Sequence, residues 1–195
     1  MNSNMQVPPR APRSFSTLDD LMAWLASHHT TEPELWVRIY KRDSGTASVT
    51  WEDCVIASLT WGWIDSQRRA LDEVSFLQRL TPRRARSIWS QRNCEHAERL
   101  IAEGTMQPAG LAQVVAARED GRWQSAYAGS ASMVLPADFL SELAQHPEAQ
   151  QHFATLDRRN LFAIYYRLHS AQRPETRRRR IADIIQRLGT GRAYH

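Results

Sequence analysis

The sequence predicts an α+β fold: a small antiparallel sheet of about three strands packed by N-terminal helices, followed by a mainly helical C-terminal half. Three observations carry this. Residues 34–41 alternate in polarity and are rich in strand formers. Two further strand-like stretches meet at Asp72-Glu73. From Ser90 onward the apolar residues recur with helical spacing.

The opening stretch, Met1–Arg13, is polar, contains Pro8, Pro9 and Pro12, and lacks an apolar run, so it is expected as a disordered tail and not a signal peptide. Thr17 with Asp20 forms a capping pair, and Leu18, Leu21, Met22 and Leu25 then mark an amphipathic helix. After Pro33 comes a strand with Leu35, Val37 and Ile39 on one face, followed by a turn at Asp43–Thr46. Thr50 with Asp53 opens a second helix carrying Trp51, Cys54, Val55, Ser58 and Leu59, and Gly62 ends it. Trp63–Leu71 and Ser75–Leu80 read as an antiparallel hairpin.

Helices are expected over Gln91–Glu103 and Ala109–Glu119, with Gly104 and Gly121 as stops. Pro136 opens another, ending near His146, and Pro147 begins the next. Two clean stripes close the chain: Leu161, Ile164, Tyr165 and Leu168, then Ile181, Ile184, Ile185 and Leu188. The break at Arg173-Pro174 between them makes a helical hairpin. The expected organisation is an α/β part over 14–90 and a helical part over 91–195, forming one cooperative unit.

Composition narrows the function. With 195 residues, 42% of them hydrophobic, and seven tryptophans, the chain has the apolar surface a folded core needs. No run approaches the roughly 18 apolar residues of a membrane helix. Cys54 and Cys94 have no CxxC partner, which argues against a disulfide framework or a zinc site, points to a cytoplasmic setting, and suits small core residues. There is no HExxH, GxSxG, P-loop or GxGxxG, so no metal, cofactor or nucleophile elbow is indicated. The net charge of +4 is uneven: residues 157–195 hold ten arginines against three acids.

Three constellations invite a functional reading. Arg79, Arg83, Arg84, Arg86 and Arg92 lie between Val74 and Cys94 with no acid among them, and Trp89 sits in the run. Guanidinium forks match phosphate and carboxylate oxygens, and an indole stacks on a base, so this would suit an anion or nucleic acid. The plainer alternative is a solvated turn whose arginines pair with acids elsewhere. In the second constellation, alternation after Gly62 puts Trp63 and Asp65 on one face. With Trp61, Lys41 and Arg83 they could hold a small polar ligand, or Asp65 could serve as a general base in a small-molecule enzyme. Against that stand a core Trp63 and an Asp65 that anchors a turn or an arginine. The third is Arg177–Arg180. There Arg177 shares the stripe of Ile181 and Ile184, and Arg179 and Arg180 point to solvent. Pairing within the chain or across a homodimer is favoured over nucleic acid.

Trp61-Gly62-Trp63-Ile64-Asp65, Thr81-Pro82-Arg83-Arg84, Ser87-Ile88-Trp89-Ser90 with Asn93, Gly104 and Met106, Asp120-Gly121-Arg122-Trp123, and Glu175-Thr176-Arg177 with Arg180-Ile181 together resemble the YdeI/OmpD-associated family. The resemblance runs from about Phe15 to Leu188; Thr60 departs from the small apolar residue expected before Trp-Gly-Trp. It implies a link to bacteriocin protection or stress and carries no catalytic assignment. The expected function is a non-enzymatic cytoplasmic protein binding a small anionic ligand or a protein partner. The candidate binding residues are Lys41, Trp61, Trp63, Asp65, Arg79, Arg83, Trp89 and Asn93.

Overall fold

A computed structural model describes residues 11–193. Most of the expected tail, Met1–Arg10, lies outside the described residues, while Arg13 already belongs to a strand. The chain divides into two compact units. One runs to Ser87 and includes Asn93–Gln124; the other comprises Ile88–Arg92 and the chain from Ser125 onward.

In the first unit the elements are β1 (Arg13–Ser14), α1 (Leu18–His28), β2 (Leu35–Tyr40), α2 (Trp51–Thr60), β3 (Trp63–Ala70), β4 (Ser75–Pro82), α3 (Gln91–Ala102, here from Asn93) and α4 (Pro108–Glu119). Both predicted capping pairs form. The Asp20 amide donates to Thr17 Oγ1 at 3.2 Å and the Asp53 amide to Thr50 Oγ1 at 3.1 Å, with each aspartate accepting in return from the threonine amide. β2, β4 and β3 make the expected antiparallel sheet, and β3 bulges between Asp65 and Arg68. The sheet has a fourth strand, the two-residue β1, which pairs parallel to β2. Two residues are too few to show an alternation, so β1 has no signature in the sequence.

Leu35, Val37 and Ile39 face the core with Leu21 and Leu25 of α1, Cys54 and Ala57 of α2, Trp63 and Leu80. Trp51 departs from expectation: it is 38% exposed and packs its indole N–H against Asp65. Trp36, on the opposite face of β2, is only 2% exposed, its ring covered by the guanidinium groups of Arg69 at 4.7 Å and Arg79 at 6.0 Å.

α4 docks on the end of α2 through backbone, not side chains. The Gln107 amide donates to the Thr60 carbonyl at 3.2 Å. A Cβ on Gly110 would lie 2.4 Å from the Leu59 carbonyl oxygen, and one on Gly62 (φ 73°) 2.6 Å from that of Ala109. These two glycines permit the close approach.

The second unit contains α5 (Ala137–Leu143), α6 (Pro147–Phe153), α7 (Arg158–His169) and α8 (Pro174–Gly189). Its own core joins Phe139, Leu143, Ala149, Ile164, Leu168, Ile181, Ile184, Ile185 and Leu188, so the predicted hairpin stripes of α7 and α8 are buried against α5 and α6. Asp157 caps α7, accepting from the Asn160 amide at 2.8 Å.

The arginine run at the start of α8 is half structural. Arg177 forks onto Asp138 of α5 at 2.5 and 2.7 Å and donates to the Leu168 carbonyl at 2.9 Å. Arg180, expected in solvent, is half-buried and donates to the Arg167 carbonyl and the Ser170 hydroxyl at the end of α7. Arg178 and Arg179 are exposed. The hydrogen bond from Arg177 holds the Asp138 carboxyl below the usual carboxylate range. Its contribution to stability is therefore present above the unfolded value of about 3.9 and lost as pH falls through the lower folded value. Asp138→Asn is expected to cost about 0.5–1 kcal/mol at pH 7, kept small by the exposure of the carboxylate. The difference from wild type should close on acidification below about pH 4, read by urea melts across pH.

Candidate functional site

The structure keeps Trp61, Trp63, Asp65, Arg79 and Arg83 around the paired ends of β3 and β4, but engages them within the protein. Trp63 is 1% exposed and belongs to the core, with its indole N–H donated to the His29 carbonyl at 3.1 Å and its ring edge-on to Trp24. Asp65 accepts from Trp51 Nε1 at 3.0 Å. Trp61 is the residue that ends α2, and its ring lies 4.7 Å from that of His29. Arg79 is bound to Glu34 at 2.7 Å. Arg83 is 6% exposed, its amide donating to the Gly62 carbonyl at 3.0 Å.

Lys41 sits at the far end of the sheet, where its ammonium donates to the Glu73 carbonyl at 2.7 Å. β4 spans eight residues between the Lys41 end and the Trp63 end. At ~3.3 Å per residue that is about 23 Å, so Lys41 does not edge a Trp63–Asp65 cleft. Lys41 instead joins Arg38 and Asp72 in stabilising the hairpin tip. Arg38 pairs with Asp72 at 2.7 Å, and the Ser75 hydroxyl, donating to Asp72, holds that carboxyl below the ordinary range.

Asn93 is half-buried on α3, and Trp89, 2% exposed, falls in the other unit, where its carbonyl accepts from the Tyr127 amide. Among the arginines of the basic run, Arg84 and Arg86 are exposed. Arg79 follows the plainer alternative: its partner, Glu34, is an acid of the same unit.

Chemistry that needs an activated nucleophile finds little support in the cysteines. Both are buried, and burial pushes the Cys54 thiol far up and that of Cys94 to about 11. Among the described residues no group of three His, Cys, Asp or Glu side chains could hold a metal ion. No helix of the described residues is long and apolar enough to cross a membrane.

A hollow lies elsewhere, in the second unit. About 670 Å³ opens where the α5–α6 corner crosses the C-terminal half of α8. Its floor is Ala149, Ala182, Ile185 and Gly189, and its rim carries Glu142, Glu148 and His146. The hollow exists because three floor positions are small; a Cβ on Gly189 would meet nothing within 4 Å. His146 lies 3.3 Å from Glu142, leaving the rim acidic overall. The only sequence signals were the Pro147 break and two alanines and a glycine on or near a helical stripe, which look like ordinary spacing residues. A second hollow of about 620 Å³ gathers Arg167, Arg187 and Arg192 against Asp183 at the C-terminal ends of α7 and α8.

Two family models match the chain. One, a domain of unknown function (DUF8412), covers residues 13–113, more than half of the chain. The other, described as bacteriocin-protection, YdeI or OmpD-associated, covers residues 132–191. The family expected from the sequence is thus matched over the C-terminal segment, which contains α5–α8 and the 670 Å³ hollow. The Trp61–Asp65, Thr81–Arg84 and Ser87–Ser90 motifs fall within the span of the first model. No curated protein and no solved structure matches the chain. The chain belongs to the DUF8412 family of domains of unknown function and carries, at residues 132–191, a domain of the bacteriocin-protection, YdeI or OmpD-associated type.

Proposed function

We propose that this protein is a non-enzymatic, cytoplasmic binding protein linked to bacteriocin protection or stress, and that it holds a cationic partner with an apolar face in the hollow between the α5–α6 corner and α8. The observation that carries this reading is the chemistry of that hollow: an alanine, isoleucine and glycine floor under two glutamates, inside the segment that matches the bacteriocin-protection family. An apolar floor supplies burial, about 25 cal/mol per Å² removed from water, and the acidic rim selects the sign of charge. Two buried cysteines with raised thiol pKa values support a binding role over a nucleophilic one. They also agree with a reducing compartment.

A synthetic amphipathic helix of leucine and lysine tests this directly by calorimetric titration. Binding is expected to weaken at least tenfold, about 1.4 kcal/mol, in Gly189→Leu, which fills open space, and in the Glu142→Gln/Glu148→Gln double variant. A leucine–glutamate helix of the same length should not bind. Equal affinity of wild type and Gly189→Leu would overturn the assignment.

A second reading rests on the polar hollow: three guanidinium groups facing one carboxylate suit a phosphate or a nucleic-acid backbone. It requires affinity for an oligonucleotide that falls steeply with salt and is lost in Arg167→Ala/Arg192→Ala.

A further inference from the structure

Helix α4, in the first unit, is apolar on both of its sides. Gly110, Val114 and Ala117 are buried. Pro108, Leu111, Ala112, Val115 and Ala116 are exposed on the opposite side, Leu111 at 42% and Val115 at 44%. At about 3.6 residues per turn these exposed positions form one stripe, which reaches Glu119 before it meets a charge. Surface helices turn charged or polar side chains outward, and α3 of the same unit does so with Glu95, Glu98 and Arg99. Helix stability does not account for the difference. Valine is a poorer helix former than the glutamate, glutamine or lysine that a solvated position accepts. An apolar stripe left in water without gain to its own helix points to a partner.

The stripe fits a second copy of itself. Its midpoint lies between Gln113 and Val114, and a two-fold axis there sets two α4 helices antiparallel. Leu111 of one copy is then level with Ala116 of the other, and Ala112 with Val115. Each of these levels holds one large and one small side chain, and the small ones let the two helices close on each other. The charges agree with this direction. Exposed Arg118, Glu119 and Asp120 at the C-terminal end come level with Ala109, Pro108 and Gln107 of the other copy, none of which is charged. A parallel pair would instead bring the two Glu119 positions together, like charge against like.

We infer that α4 is a self-association surface, through which two copies of this chain pair antiparallel about a two-fold axis near Gln113 and Val114. One face of a 12-residue helix is about 18 Å long. It buries less than the roughly 1,200–2,000 Å² of a stable interface, so the pairing is weak and reversible. The surface is separate from the hollow on α8 and does not depend on it.

Analytical ultracentrifugation of the full chain tests this. The sedimentation coefficient is expected to rise from the monomer value at about 10 µM toward that of a dimer at about 1 mM, with a midpoint on the order of 100 µM. Val115→Glu and Ala112→Lys each put a charge into the seam, and each alone is expected to weaken association at least tenfold. Both positions are exposed, so both variants should melt with wild type at about 10 µM, where the chain is monomeric. Mixed in equal amounts, the two variants are expected to associate again, because the antiparallel pairing sets position 112 of one copy level with position 115 of the other. A wild type that stays monomeric across the whole range overturns the proposal and leaves the stripe to a different protein. Association undiminished in Val115→Glu overturns it too, since the contact would then lie elsewhere. Two variants that stay monomeric on mixing rule out the antiparallel pair.

Discussion

Gly110→Ala is expected to destabilise the protein by about 3 kcal/mol, a fall of roughly 10 °C in melting temperature, although it adds a single methyl group to a helix. In an exposed helix the same change would stabilise, since alanine is the better helix former by about 1 kcal/mol. Here the new Cβ would lie 2.4 Å from the Leu59 carbonyl oxygen and 2.5 Å from that of Thr60. Both oxygens belong to the backbone at the end of α2, so neither can rotate away, and α4 must lift from its seat. The nearby Gln107 amide would then lose the Thr60 carbonyl it donates to. Gly104→Ala is the control: φ there is 69° but a Cβ meets nothing within 4 Å, so only the left-handed backbone opposes it, at about 1 kcal/mol. Equal losses at the two positions would show that α4 does not rest on α2 through Gly110.

Ile184→Ala is expected to cost about 3 kcal/mol through the second core. Ile184 is fully buried among Leu168, Ile181 and Leu188, and truncation removes three carbons and leaves a cavity. Ile184→Val, one carbon smaller, should cost about 1 kcal/mol. Calorimetry on both variants gives the losses directly. Six of the seven tryptophans lie in the first unit. Following tryptophan fluorescence beside the helical circular dichroism signal therefore reports whether the loss stays in the unit that carries the substitution. A loss under 1 kcal/mol for Ile184→Ala would mean that the stripe on α8 is not the centre of a packed core.

The elements were legible because their signals are local. A threonine three residues before an aspartate closes a capping box on its own backbone, as at Thr17 and Thr50, wherever the helix later packs. Alternation at Leu35, Val37 and Ile39, and helical spacing at Ile181, Ile184 and Leu188, fix which side of an element is apolar. The buried faces followed. The family resemblance was readable for the same reason, since it rests on short runs of residues in order.

The site was not legible, because a charged or aromatic side chain has its role set by groups distant in sequence. Arg79 became a partner of Glu34, 45 residues away, and Lys41 a cap for the carbonyl of Glu73. Arg83 and Trp63, attractive as binding groups on paper, went into the interior. Even within α8 the division of four adjacent arginines was decided by Asp138 and by the exposed carbonyl end of α7. Hollows are still less visible: the one on α8 opens where Ala149, Ala182 and Gly189 are small. By itself the sequence determined the fold class, the order of the helices, three strands of the sheet and the apolar faces, since these depend on backbone geometry over a few residues. Only the tertiary structure decided which polar groups are satisfied and where hollows open, because hydrogen bonds and cavities are properties of atoms brought together from across the chain.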